Sequence, residues 1–211
     1  MRIPLTLFPT SGMHTYDPAA PNLPHNPFNS IVGPRPIGWM STKSKAGVVN
    51  LAPYSFFTAL NYTPPIIGFS SIGRKDSLRN IEETGEFVWN LATRDLAEAM
   101  NATCARVPHG VNEFELGNLT EVASVKVAPP RVGESPVAFE CKLSQLIQLS
   151  SKDDEAVDTW MVLGQVVLMH ISPALLKEGV FDTAAAGLIL RGGGPGDYFE
   201  LGQKFFMARP D

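Results

Sequence analysis

Cysteine is almost missing from this chain: Cys104 and Cys141 are the only two in 211 residues. That count argues against a disulfide scaffold and makes a reducing setting, the cytoplasm, the expectation. Charge is scarce too. Asp, Glu, Lys and Arg make up 18% of the sequence, below the usual quarter of a globular domain. Such a surface suits burial in an oligomer. The formal net charge is -4 and no Lys/Arg block forms a stripe, so no nucleic-acid partner is expected. No apolar run approaches the roughly 20 residues of a membrane span. The opening MRIPLTLFPTSG lacks the apolar core and small-residue cleavage site of a secretory signal. HExxH, paired CxxC, the Walker spacing and GxSxG do not occur, and His14, His25, His109 and His170 lack ligand spacing. No metal site is expected, and no catalytic residue is assigned.

What is plentiful is turn-forming. The chain has 18 prolines and 18 glycines, which favour strands and turns over a helical bundle. Its length fits one domain with a real core. Residues 1–27 are Pro/Asn/His-rich and aperiodic, and read as an arm before a single domain at 28–211. Phe28 to Ser41 reads as mostly extended, with Pro34 and Pro36 keeping it from a regular central strand. Strands are expected at Val48–Leu51, Pro65–Ser71, Phe87–Leu91, from Val137 through Leu143, at Trp160–Ile171 and at Leu188–Arg191. Asp76 can cap a helix that stops at Gly85, and Asp95 can cap a second from Leu96 to about Arg106. Pro173 to Gly179 can add one turn. The pattern predicts a mainly β fold, a closed or partly closed antiparallel barrel with a few peripheral helices.

Two segments carry the chemistry. In SSIGRKDSLRNI, a strand ending in Ser70 and Ser71 leads through Gly73 to Arg74, Lys75 and Ser77 at a helix start. Unpaired N–H groups there, with two cations and hydroxyls, make a phosphate cradle. An ordinary capped helix after a solvated turn is the competing reading. In NLAPYSFF, the polar Asn50 and Ser55 interleave with Leu51, Ala52 and aromatics, as in a flat apolar slot with ring-binding amides. For Phe56 and Phe57 core packing is the better explanation. Pro34-Arg35-Pro36 stiffens the backbone beside that slot, or marks a kinked edge strand. Arg191, at a strand end before Gly192-Gly193-Gly194, can reach an anion. A planar ligand with a phosphate tail, flavin mononucleotide (FMN) first, fits the two segments together.

The order PRPIGWMST, NLAPYSFF, PPIIGFSS, RKDSLRNI, GEFVWNLA and ESPVAFECK resembles the flavin reductase-like family of flavoprotein oxygenases and reductases. The resemblance spans roughly residues 28 to 192. It implies a Greek-key split β-barrel, a homodimer and FMN near the dimer interface. It places Arg35, Pro36, Ile37, Trp39, Met40 and Ser41 around the ring and ribityl chain. Asn50, Leu51, Ala52 and Ser55 would meet the ring's polar edge. Ser70, Ser71, Lys75 and Ser77, with Arg74 nearby, would hold the phosphate; Arg191 is a further candidate. The implied activity is hydride transfer from NAD(P)H to flavin. A flavin-binding electron carrier without NAD(P)H activity, or a flavin-dependent oxygenase of a small organic substrate, are the alternatives.

Overall fold

The computed structural model describes residues 12–210. A helical turn, α1 (Phe28–Ile31), precedes β1 (Arg35–Pro36), β2 (Gly38–Lys43), β3 (Val49–Tyr54), β4 (Phe57–Tyr62) and β5 (Pro65–Ile72). Then come α2 (Asp76–Thr84), β6 (Glu86–Asn90), α3 (Ala97–Ala102), α4 (Glu113–Leu116), β7 (Glu121–Val122) and β8 (Arg131–Val132). Two long strands follow, β9 (Val137–Ser150) and β10 (Ala156–Ile171). Four short ones end the order: β11 (Leu176–Lys177), β12 (Val180–Phe181), β13 (Ile189–Arg191) and β14 (Tyr198–Glu200).

Seven strands form one antiparallel sheet in the order β3-β2-β6-β9-β10-β5-β4. Its edge strands, β3 and β4, are consecutive in sequence and joined only by Ser55 and Phe56. Laid flat, such edges would lie about 29 Å apart. Two residues cannot span that, so the sheet curls, and Ser70 N–H of β5 donates to Phe56 C=O, carrying the β4–β5 ladder into the corner. The result is the expected antiparallel split barrel. Gly164 on β10 is part of the curvature: a Cβ there would collide with the Phe87 ring.

Phe57, Phe69, Phe87, Trp89 and Val162 fill the barrel, and Leu78 and Ile81 of α2 close it. Fully burying each of those two aliphatics contributes about 1.5–3 kcal/mol. A second cluster, with Trp39, Leu51, Met100 and Phe114, lies between the other face of β2–β3 and the α3–α4 segment. The β2–β3 ribbon is therefore covered on both faces.

Several sequence expectations need correction. Phe28 to Ile31 is a helical turn, not extended chain. Lys75, not Asp76, is the N-cap of α2, and Asp76 is its first residue. Gly85 does end it, in the left-handed conformation at φ 71°. The second helix is shorter than expected, beginning after Leu96 rather than Asp95. It stops where the Thr103 hydroxyl turns back to Met100 C=O while accepting from Trp39 Nε1. Strand β4 has one buried residue and five exposed ones, so no apolar run announced it. The part of the arm at residues 1–11 lies outside the described residues; from 12 to 27 the chain is exposed apart from the partly covered Tyr16 and Pro27.

Candidate functional site

A cavity of about 590 Å³ opens between β3, the start of α2 and the segment after α3. Register explains its walls. Asn50, Ala52 and Tyr54 alternate onto the face of β3 that looks toward α2, while Leu51 faces the second cluster. Lys75, Asp76 and Ser77 bring the first turn of α2 to the opposite wall. First-turn amides have no intrahelical carbonyl to bind, and the helix dipole makes this end electropositive. Lys75 Nζ sits 6.0 Å above the Tyr54 ring. Thr103 to Val107 and Glu113 complete the lining. The structure thus brings Asn50, Ala52, Lys75 and Ser77 together around one space.

Other expected site residues are placed differently. Trp39, Met40, Ser41, Leu51 and Ser71 are fully buried. The Ser71 hydroxyl donates to Gly73 C=O and shapes the turn into α2. Ser70 points away, into a separate cavity of about 360 Å³ that Arg35, Pro36, Phe56 and Phe57 also line. Pro36 and Ile37 border an apolar hollow of about 260 Å³ with Phe57, Trp89 and Phe139. Arg74 lies over the Trp160 ring and pairs with Glu82. Ser55 contributes its carbonyl, which accepts from Arg35 Nε at 2.9 Å. The rest of the Arg35 guanidinium reaches the carbonyls of Asn29, Val32 and Gly192. Arg35 therefore ties three chain segments together. Arg191 donates to the carbonyls of Gly194, Pro195 and Asp197 and stacks on Tyr198.

Three lining groups, Glu113, Tyr54 and Cys104, lie outside the expected site residues, and His109 stands beside the cavity. Glu113 is 6% exposed, and its Oε2 accepts from Leu51 N–H at 3.0 Å. Burial pushes its carboxyl above the ordinary value, against the pull of the amide bonds from Leu51 and from its own backbone; Asp76 adds to the rise. Tyr54 is buried, and its hydroxyl has no hydrogen-bond partner of good geometry. Burial raises its pKa, while the neighbouring Ser77 and Ser71 hydroxyls act the other way. The Cys104 thiol is pushed up by burial, against the nearby charges of Arg191 and Lys75. His109 Nδ1 lies 3.2 Å from Asp76 Oδ1 and ties the loop after α3 to the start of α2. A carboxylate 62 positions from the amide it serves has no local signature. Only Asn112, which caps α4 by accepting from Phe114 N–H, marks where Glu113 begins a helix. Among the described residues no cluster of three His, Cys, Asp or Glu side chains could hold a metal.

Asn50 links the two walls. One end of its amide is 2.8 Å from Ser77 Oγ. The other is 3.3 Å from Glu113 Oε1 when the nitrogen is turned that way. An ionised carboxylate only accepts, so with Glu113 charged the nitrogen faces Glu113 and the oxygen accepts from Ser77.

An antiparallel split barrel with a cavity between its edge strand and a helix N-terminus defines the class. The family model of the flavin reductase like domain matches residues 33–186, and the chain belongs to that flavin-binding family. An uncharacterized protein of Halalkalibacterium halodurans is 38% identical over 183 residues, covering 84% of this chain and 86% of its own. The crystal structure of nitrilotriacetate monooxygenase component B from Bacillus cereus superposes with a TM-score of 0.85 at 30% identity, covering 94% of this chain and all (100%) of that one. The 2-nitrobenzoate 2-nitroreductase NbaA of Pseudomonas fluorescens matches with a TM-score of 0.76 at 29% identity, over 87% of this chain and 88% of its own.

No helix among the described residues is long and apolar enough to cross a membrane.

Proposed function

We propose that this protein is an FMN-binding oxidoreductase of flavin reductase type that transfers hydride from NAD(P)H to flavin. One observation carries the reading: the same cavity holds the amides of a helix N-terminus with Lys75 and Ser77 on one wall, and the edge strand β3 with the unpartnered Tyr54 hydroxyl on the other. The first wall suits a phosphate. The second suits a flat ring, since β3 has no neighbouring strand on its outer side and its backbone groups can meet ring heteroatoms. A buried hydroxyl with no partner is costly unless a ligand completes it.

A bound FMN would supply the redox chemistry, accepting hydride and passing electrons on. The chain's own part is to hold the phosphate at Lys75 and Ser77, to seat the ring against Ala52 to Tyr54, and to leave one face open. Hydride transfer itself needs no dedicated acid or base. The assembly in this reading is a homodimer of single-domain chains in a cytoplasmic setting. Exposed Leu60, Tyr62 and Ile72, beside the barrel's edge, support such an interface.

The test is anaerobic stopped-flow reduction of the FMN-loaded protein by NADH and by NADPH. Bleaching of the flavin absorbance is expected. Absence of bleaching with both donors would sink the reductase. The likeness to a monooxygenase component favours one second reading, an oxygenase-linked role. Oxygen uptake that depends on an added organic substrate would support it over simple flavin reduction.

A further inference from the structure

We propose that Glu113, Asn50 and Ser77 form a proton-linked relay, in which protonation of Glu113 turns the Asn50 amide and releases the Ser77 hydroxyl hydrogen to an anion in the cavity. This rests on the reading of the cavity as the seat of a phosphate-bearing flavin.

The relay has two hydrogen-bond patterns on one set of heavy atoms, and they differ at Leu51 N–H, which lies 3.2 Å from the end of the Asn50 amide that meets Ser77. With Glu113 ionised, Oε2 accepts from Leu51 N–H and Oε1 accepts from Asn50 Nδ2 at 3.3 Å. The Asn50 oxygen then accepts from Ser77 O–H at 2.8 Å and from Leu51 N–H at 3.2 Å. Ser77 is left with only lone pairs toward the cavity, which repel a phosphate. With Glu113 protonated, the hydrogen on Oε1 donates to the Asn50 oxygen. The amide has made a half-turn, and its nitrogen donates to Ser77 Oγ over the same 2.8 Å, while it now faces Leu51 N–H, a donor, so the new bond from Glu113 must offset that contact. The Ser77 hydrogen is now available to the ligand. The balance is simple: one proton moves from solvent to Glu113, and no bond of the ligand forms or breaks.

The charges around Glu113 favour this coupling. The titratable groups that share its cavity are Tyr54, Lys75, Asp76, Cys104 and Arg106. Asp76 is already paired with Arg79 and His109. Among the described residues no Lys, Arg or His forms an ion pair with Glu113. It is therefore the lining carboxylate that an incoming phosphate would meet uncompensated. Neutralising it removes a like charge and adds a donor in one step.

The experiment measures FMN and riboflavin affinity between about pH 5 and pH 8.5, by flavin fluorescence, for wild type and Glu113→Gln. In the variant the introduced amide oxygen can accept from Leu51 and the amide nitrogen can donate to Asn50, so the protonated pattern is permanent. The wild-type Kd for FMN should weaken by up to about tenfold per pH unit on the alkaline side of the Glu113 titration. Glu113→Gln should keep tight binding there. The titration of the FMN phosphate itself, near pH 6, enters both proteins alike. Calorimetry in two buffers should show more proton uptake on FMN binding by wild type than by the variant, and no such difference with riboflavin. Identical pH profiles and proton uptake in the two proteins would overturn the relay. Should the variant not fold, carbon NMR of the wild-type Glu113 carboxyl decides: its midpoint must rise on adding FMN, and an unmoved midpoint overturns the proposal. No binding of either flavin at any pH would instead remove the assignment of the cavity, and the relay with it.

Discussion

His170 Nε2 lies 2.6 Å from Oε1 of Glu140, a carboxylate with no exposed surface. Glu140 also accepts from the amides of Val125 and Lys126 at 2.8 and 2.6 Å. The pair pins the segment before β8 against the β9–β10 ribbon. Burial alone would raise the carboxyl's pKa, but the bonds from His170 and the two amides outweigh it and hold the value below the ordinary one. The group is thus more acidic folded than unfolded. Its stabilisation is present above the unfolded value, about 4.3, and disappears as pH falls through the lower folded one. Thermal melts should show wild type losing stability through that acid window. Glu140→Gln should be less stable at neutral pH by about 2–4 kcal/mol and lack this part of the acid loss. Equal acid slopes would show that Glu140 does not govern it.

Removing the Lys75 charge and the Ser77 hydroxyl together should weaken FMN by roughly 2–4 kcal/mol, counting charged hydrogen bonds at about 1.5–3 kcal/mol with some loss to exposure. Ser77 rather than Ser71 is the hydroxyl to remove, because the Ser71 hydroxyl is taken by Gly73 C=O. Riboflavin affinity should change far less. Equal weakening of both flavins, read by fluorescence titration, would remove the phosphate from this wall.

Cys104 lines the cavity and Cys141 is buried in the barrel. Iodoacetamide should therefore modify Cys104 and spare Cys141 in the native protein. Saturating FMN should slow the Cys104 reaction several-fold. Peptide mass spectrometry reads both sites, and an unchanged Cys104 rate with bound FMN would place the flavin elsewhere.

Arg35 joins α1, the β3–β4 corner and the loop at Gly192 through four carbonyls. Arg35→Ala should cost about 1–3 kcal/mol and speed amide exchange at residues 28–33 and 192–197. Arg35→Lys should not restore protection, because one ammonium cannot reproduce the guanidinium fork. Unaltered exchange in both segments would contradict the tie.

Legibility in the sequence followed the range of the interactions. Helix α2 was readable because its stop signal, Gly85, and its polar start are local. The β9 and β10 strands were readable in part from alternating and apolar runs. Strand β4 was not, since an edge strand with one buried residue has no apolar period. The short α3 was overread because Trp39, a β2 residue 64 positions from Thr103, helps decide where it stops. At the site, Lys75, Ser77, Asn50 and Ala52 came from contiguous motifs. Glu113 and Cys104 did not, because only folding carries the segment after α3 to β3.

The sequence by itself determined that this is a strand-rich split barrel of the flavin reductase-like family, with a polar helix start and a ring-sized slot in adjacent motifs. Those properties rest on backbone preference and short spacing, which are local. Tertiary structure alone decided which motif residues share a cavity. Strand alternation sends Ser70 and Ser71 to opposite faces, Arg35 and Arg191 spend their donors on nearby carbonyls, and β3 ends the sheet with no strand on its outer side, its Leu51 amide bonded to Glu113 instead. It also placed an uncompensated carboxyl, Glu113, within reach of Asn50 at a site read as a phosphate seat.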